Sequence, residues 1–257
     1  MTVTSPIILP SALHQYLTAI SVGDLDDALR HTSPDVASAL PPSGDHVETS
    51  ARRQLTGREA LRHALPGSLG DGAVTVLMAA RAGDHWLLEG RVESDPAETL
   101  VASFTVRDDL ITRQLVFRCE LVRRPPGAQA TTEHDALGAV ERYFEHLEAA
   151  EMPAAAECFS PDTVYSHPPY RHAPEEGRAE FRGQAELLAG FERRGFRTVH
   201  HDLLVGAQHG SHFLVEGCTD DPPAGASFLS SVTLDADGRI DRYVALMTQP
   251  RVPFGDR

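Results

Sequence analysis

GDHWLLEG, Gly83 to Gly90, returns as GSHFLVEG, Gly210 to Gly217, 127 residues further along the chain. Five of the eight positions are identical, and two of the others stay aromatic (Trp86, Phe213) or aliphatic (Leu88, Val215). The same offset carries Ser33-Pro34-Asp35 onto Ser160-Pro161-Asp162, Tyr16 onto Tyr143, and Leu40-Pro41-Pro42 onto His167-Pro168-Pro169. The tails SFTVRDDLITR (Ser103–Arg113) and SVTLDADGRIDR (Ser231–Arg242) align once a gap is admitted. Several separated matches in one register define a tandem duplication, the feature that sets the architecture before any element is assigned. At 257 residues the chain suits two ordinary domains. We place them at 1–122 and 135–257, with RRPPGAQATTEH (Arg123–His134), polar and rich in breakers, as the linker.

Each copy has the same plan. Leu13 to His31 and Ala136 to Phe159 carry apolar residues at helical spacing, among them Val140, Tyr143, Phe144 and Leu147. Ser160-Pro161-Asp162 is read as a helix stop and turn, and a second helix is expected from near Gly57 and Gly183. In the second copy, strands are expected over Thr198–Val205, His212–Thr219, Ser227–Leu234 and Ile240–Met247, the last two joined at Asp237-Gly238. Helices first and an antiparallel meander after them give an α+β class, with helices on one face of a curved sheet.

Composition excludes several functions. A formal charge of −14 repels a phosphate backbone, so no nucleic-acid partner is expected. No apolar run reaches the roughly 18 residues of a membrane span. MTVTSPIILPS at the start lacks a basic n-region, so a cytoplasmic location is expected. Cys119, Cys158 and Cys218 are odd in number and lack CxxC spacing, which fits reduced thiols. The chain contains no lysine and no asparagine, which removes Schiff-base chemistry, the P-loop lysine and N-glycosylation. Eight of the thirteen histidines follow residue 130, but no HExxH or Cys-His ligand spacing accompanies them, so no metal is expected. No glycine-rich phosphate loop or GxSxG elbow is present, and no cofactor is expected.

The stretch ERYFEHLEAAEMPAAAECFSPDTVYSHPP (Glu141–Pro169) and the closing DADGRIDRYVAL (Asp235–Leu246) resemble the first helix with its following loop, and the last hairpin, of the nuclear-transport-factor-2-like superfamily. That superfamily includes ketosteroid isomerase, SnoaL-type polyketide cyclases, limonene epoxide hydrolase and scytalone dehydratase. The resemblance implies two tandem cone-shaped domains, each a curved antiparallel sheet and N-terminal helices around an apolar cavity. Members of such folds pair sheet to sheet, so the duplicate is expected to form an intramolecular pseudo-dimer, with a further homodimer left open. The superfamily supports many chemistries on one fold, so the activity must be argued from the site.

By that resemblance Tyr143 falls where isomerases hold the tyrosine that hydrogen-bonds a developing oxyanion; the alternative is an aromatic core residue, as Tyr16 in the first copy suggests. His167 lies 24 residues after Tyr143, where the isomerases place their general-base aspartate, and an imidazole with an ordinary pKa moves protons near neutral pH. Its counterpart Leu40 cannot. Ser230 falls at the second oxyanion donor and is a weaker one than the aspartic acid found there in isomerases. In His200-His201-Asp202 strand alternation admits at most one histidine to the cavity, and His200 shares a side with Asp202. Asp241 stands near a polyketide-cyclase acid/base position, and Tyr170 heads YRHAPEEGRAE (170–180), read as a lid with Tyr170 as a substrate contact. The paired His85/His212 and Glu89/Glu216 are read as scaffold or interface groups.

These readings give a cofactor-independent enzyme of secondary metabolism. It would act on a small apolar, polyketide-like molecule by proton transfer in cyclisation, isomerisation or dehydration. His167, Tyr143, His200 and Asp241 would be catalytic, Ser230 and Tyr170 substrate-binding, and the first domain structural. The alternative is a non-catalytic binding or assembly module on the same fold; aromatic side chains plugging the second cavity would favour it.

Overall fold

The computed structural model describes residues 8–40, 53–68, 73–125, 134–168, 178–195, 199–220, 225–248 and 251. The first half runs α1 (Ser11–Ser21), α2 (Leu25–Arg30), β1 (Thr32–Leu40), β2 (Arg53–Thr56), α3 (Arg58–Ser68), β3 (Val74–Ala82), β4 (His85–Val92), β5 (Glu98–Arg107) and β6 (Leu110–Glu120). The second repeats it: α4 (Ala136–Glu148), α5 (Met152–Glu157), β7 (Phe159–His167), β8 (Ala179–Arg182), α6 (Gln184–Arg194), β9 (His201–His209), β10 (His212–Thr219), β11 (Ala226–Leu234) and β12 (Ile240–Thr248). Each half is one six-stranded sheet, in order β2-β1-β6-β5-β4-β3 and β8-β7-β12-β11-β10-β9. The chain is thus α+β, two tandem cone-like folds.

Two local expectations are corrected. Each expected first helix is a pair, because the chain turns at Gly23 (φ 75°) in one copy and Ala150 (φ 62°) in the other. Ser160-Pro161-Asp162 also does not end a helix. It lies inside β7, in an irregular stretch where Phe159 pairs with Ile240 and Val164 with Arg242, so extra residues bulge out of the ladder. The same irregularity separates Thr32 from Ala37 opposite β6. A proline that cannot donate to a ladder is tolerated in such a bulge. The sheets are mixed, since β1–β6 and β7–β12 run parallel and the remaining pairs antiparallel.

The inner strands β5, β10, β11 and β12 are covered on both faces, whereas the edge strands β3 and β9 keep exposed residues. One face of each sheet closes against its own helices: α4 is capped by Asp135, which accepts from the Gly138 amide, and turns Ala139, Val140, Tyr143, Phe144 and Leu147 inward. The opposite faces of the two sheets pack against each other, with Leu87, Val101, Leu115 and Phe117 of the first half meeting Leu214, Leu229, Val244 and Leu246 of the second. The alternation of β12 shows the division: Tyr243 and Ala245 belong to the cone interior, Val244 and Leu246 to the seam between halves.

Charge is buried in that seam in pseudo-symmetric form. Glu216 is held by both guanidinium nitrogens of Arg113, one at 3.1 Å, and Glu89 by those of Arg242 at 2.7 and 3.3 Å. Burial works against the charge of Glu89, but Arg242, His212 and Ser231 hold its carboxyl below the usual range. The symmetry breaks at the histidines: His212 bonds Glu89 at 2.8 Å, whereas His85 bonds Thr105 at 3.1 Å. Glu89, Glu216 and His212 therefore sit in the seam, as their repetition suggested.

Candidate functional site in the second cone

The interior of the second cone is built from rings. Tyr143 and Phe144 come from α4, Phe159 and Tyr165 from β7, Phe181 from β8, Phe191 from α6, Phe213 from β10, Phe228 from β11 and Tyr243 from β12. Tyr143 is their hub, meeting Phe159, Phe191 and Tyr243 at centroid distances of 5.0, 6.0 and 5.5 Å. Parallel pairing sets Tyr165 beside Tyr243, and the two rings stack at 5.2 Å. His167, two residues further along β7 and so on the same face, stacks on Tyr165 at 6.1 Å with nearly parallel planes.

Polar atoms in this interior are few and paired. The Tyr143 and Tyr165 hydroxyls lie 3.1 Å apart, and the Tyr243 hydroxyl lies 2.9 Å from that of Ser230. Burial raises all three phenols above their ordinary pKa, so they stay protonated donors at neutral pH. In a two-hydroxyl pair one donates inward and the other keeps its proton for a third group. Tyr143 can therefore donate to a ligand oxygen when Tyr165 donates to it.

The topologically equivalent positions of the first cone carry different chemistry. Ser38 pairs with Gln114 as Tyr165 pairs with Tyr243. There Tyr16 donates to Gln114 at 2.8 Å, and the Gln114 amide donates to Ser38 at 3.1 Å. At the position of His167 stands the buried Leu40.

His167 is half-buried, and its Nδ1 donates to the Pro168 carbonyl at 2.6 Å, which leaves the lone pair on Nε2. Removal from water pulls its pKa down to about 3, with Arg194 and Arg178 adding repulsion. The expectation that it titrates near neutrality therefore fails: this imidazole is neutral at pH 7 and a weak proton acceptor. His200 is corrected too. β9 begins at His201, three residues after the expected start at Thr198, and His200 is exposed, bonding Glu148 at 2.9 Å and lying 3.3 Å from Asp202. Asp241 lies at the bulge between Thr233 and Leu234 and turns to the seam, where Arg124 and the Thr233 hydroxyl hold it. Neither enters the cone. Ser230 faces the interior beside Tyr243; Tyr170 lies outside the described residues.

Sequence reasoning missed Tyr165, Tyr243 and His201. Tyr165 was within reach, since strand alternation puts it on the side of His167. Tyr243 needed the β7–β12 register. His201 needed the start of β9, which places it rather than His200 against Phe144, ring on ring at 4.3 Å. Among the described residues no three His, Cys, Asp or Glu side chains are arranged to hold a metal ion, and no helix is long and apolar enough to cross a membrane.

Residues 140–243 match the model of the SnoaL-like domain family. No curated protein matches the chain. Among solved structures, a protein with a ketosteroid isomerase-like fold from Catenulispora acidiphila DSM 44928 is similar at 19% identity, over 44% of this chain and 88% of that one, with a TM-score of 0.36. A snoal-like protein of unknown function from Burkholderia thailandensis is similar at 16%, over 44% and 94%, with a TM-score of 0.36. The epoxide hydrolase/cyclase-like enzyme SalBIII, whose structure concerns pyran ring formation in salinomycin, is similar at 16%, over 44% and 91%, with a TM-score of 0.36.

Proposed function

We propose, from a chain whose second half matches the SnoaL-like domain model and whose first half repeats its fold, that the second cone takes up one small, apolar, ring-bearing molecule and moves a proton on it. The observation that carries this reading is the contrast between the cones. The first ties its buried polar groups into a closed Tyr16–Gln114–Ser38 chain, while the second places a phenol pair (Tyr143–Tyr165), a phenol–serine pair (Tyr243–Ser230) and a neutral imidazole along one aromatic wall. A flat apolar guest is the kind of molecule that packs against such an aromatic wall. A phenol kept protonated in a dry site stabilises negative charge that develops on a carbonyl oxygen. Isomerisation, cyclisation and dehydration next to a carbonyl all pass through such an enolate. Tyr143 is assigned as the oxyanion donor, Tyr165 as the group that orients it, and His167 as a neutral hydrogen-bonding group at the wall.

A binding-only module is favoured by one observation: the interior is occupied by buried rings whose hydroxyls already pair with one another. Two probes separate the readings. 2-Naphthol reports binding and ionisation by its fluorescence, and we expect one molecule per chain, bound about tenfold more weakly by Tyr143→Phe, the worth of one hydrogen bond. 2-Tetralone in deuterium oxide reports proton removal as deuterium gained beside its carbonyl. Naphthol binding without tetralone exchange establishes the module; failure to bind either ends the small-molecule reading.

A further inference from the structure

Beyond the tyrosine wall, a carboxylate and an imidazole meet at the C-terminal end of α4. Glu148 closes α4 one turn after Phe144, and residues four apart lie on one helix face. Its Oε1 accepts the backbone N–H of His201 at 2.7 Å and lies 3.0 Å from Nδ1 of the same residue; its Oε2 lies 2.9 Å from His200 Nδ1. His201 is thus held at backbone and ring by one oxygen atom. Its side chain is only 11% exposed, stacked 4.3 Å from Phe144 and set edge-on to Phe228 at 6.1 Å, both members of the cone interior. The Nδ1 proton points at a carboxylate, so the lone pair is on Nε2, and among the described residues Nε2 has no hydrogen-bond partner.

We propose that Glu148 and His201 form the proton-transfer dyad of the second cone, with His201 Nε2 as the acceptor and Glu148 as the positioning carboxylate. This rests on the enzymatic reading above and names its base. The contrast with His167 is structural: His167 Nδ1 faces a neutral carbonyl, which does little for an imidazolium, whereas His201 Nδ1 faces a carboxylate, which stabilises one. The two imidazoles end a run of touching rings, His201–Phe144–Tyr143–Tyr165–His167, so a guest along that run meets the base at one end and the oxyanion donor in the middle.

The step balances within these groups. Nε2 takes a proton from carbon beside the carbonyl, the C–H pair becomes the C=C of an enolate, and the carbonyl π pair becomes the oxyanion facing Tyr143. The imidazolium then returns its proton to another carbon of the same enolate, or exchanges it with solvent. The charged and titratable groups acting on His201 are Glu148 from α4, the neighbouring His200, His167 from β7, and Arg194 from α6, whose field also reaches His167 and the three phenols. Burial, with Arg194, lowers the proton affinity of His201 overall below that of a free imidazole, and the Glu148 bond and charge oppose that shift. The positive field of Arg194 also favours the enolate.

Tetralone exchange tests this in the full chain. His201→Gln, which can still stack on Phe144, is expected to lower kcat at least a hundredfold with KM changed less than threefold. Glu148→Gln is expected to lower it about tenfold and to move the acid limb of the pH profile downward, a shift that a purely structural role would not produce. A nitrogen-15 spectrum of the resting protein reports the dyad without turnover: His201 is expected as the Nδ1–H tautomer, and its preference is lost in Glu148→Gln. Wild-type exchange that survives in folded His201→Gln, or in His201→Asn, overturns the dyad while leaving the enzymatic reading intact. Absence of exchange in the wild type overturns both.

Discussion

The two buried Arg–Glu pairs of the seam look equivalent by the repeat, yet replacing each arginine by methionine should cost different amounts. Arg113→Met leaves Glu216, fully buried, without the only hydrogen-bonding partner of its carboxylate among the described residues. An uncompensated buried charge of this kind costs about 3–5 kcal/mol. Arg242→Met leaves Glu89 still bonded to His212 and to the Ser231 hydroxyl. Each such bond to a charge retains about 1.5–3 kcal/mol, while loss of the Arg242 bond to the Val122 carbonyl gives back about 1 kcal/mol. Two such bonds less that loss put the difference at about 2–5 kcal/mol, with Arg113→Met the more damaging. Urea unfolding measures it, and the chain supplies separate reporters. The single tryptophan, Trp86, lies in the first half, and the buried Tyr143, Tyr165 and Tyr243 lie in the second. Because the seam joins both halves, both reporters should shift in each variant. Equal costs, or a larger cost for Arg242→Met, would refute the argument that local partners decide the outcome.

Acid should weaken the second half through His167. Its folded proton affinity lies below that of the unfolded chain, so the unfolded state binds more protons below pH 6.5, and stability falls with pH until about pH 3. At 1.36 kcal/mol per pH unit, pH 5 should cost up to about 2 kcal/mol relative to pH 6.5, and His167→Leu, the residue of the first copy, should flatten that slope in pH-dependent urea titrations. A slope unchanged in the variant would assign the acid sensitivity elsewhere. Gly217→Ala should destabilise by about 2 kcal/mol or more, because its Cβ would meet the Phe228 ring and sit 2.6 Å from the Asp202 carbonyl; Gly90→Ala, at 3.1 Å from the Thr75 carbonyl, should cost less, as thermal melts would show.

The repeat made most of the fold legible. The octapeptide ends in Gly90 and Gly217 where a neighbouring strand approaches closely, tightly at Gly90 and too closely for a side chain at Gly217, and its Glu89 and Glu216 recur because each is the buried charge of the same seam. β10 and the start of β12 fall where alternation and the Asp237-Gly238 turn put them. The site was less legible because it depends on pairing register and on where strands begin. One residue at the start of β9 exchanges an exposed His200 for an enclosed His201, and one bulged residue in β12 sends Asp241 to the seam. Alternation is a period of two, so each such slip inverts a side chain, and a sequence pattern does not fix the phase.

The same geometry explains which positions the two copies share. Seam residues contact the other copy, so Glu89 and Arg113 are matched by Glu216 and Arg242, and a change in one half leaves a charge buried in the other. Interior residues contact only their own cone and are released from that constraint. The first interior has settled on Tyr16, Ser38, Gln114 and Leu40, a set that satisfies its own hydrogen bonds. The second holds Tyr143, Tyr165, Tyr243 and His167 at the same places. The seam requires both copies of the fold; the proposed chemistry requires only one interior, and the first domain serves it by covering the back of the second sheet, where every residue of β11 is buried.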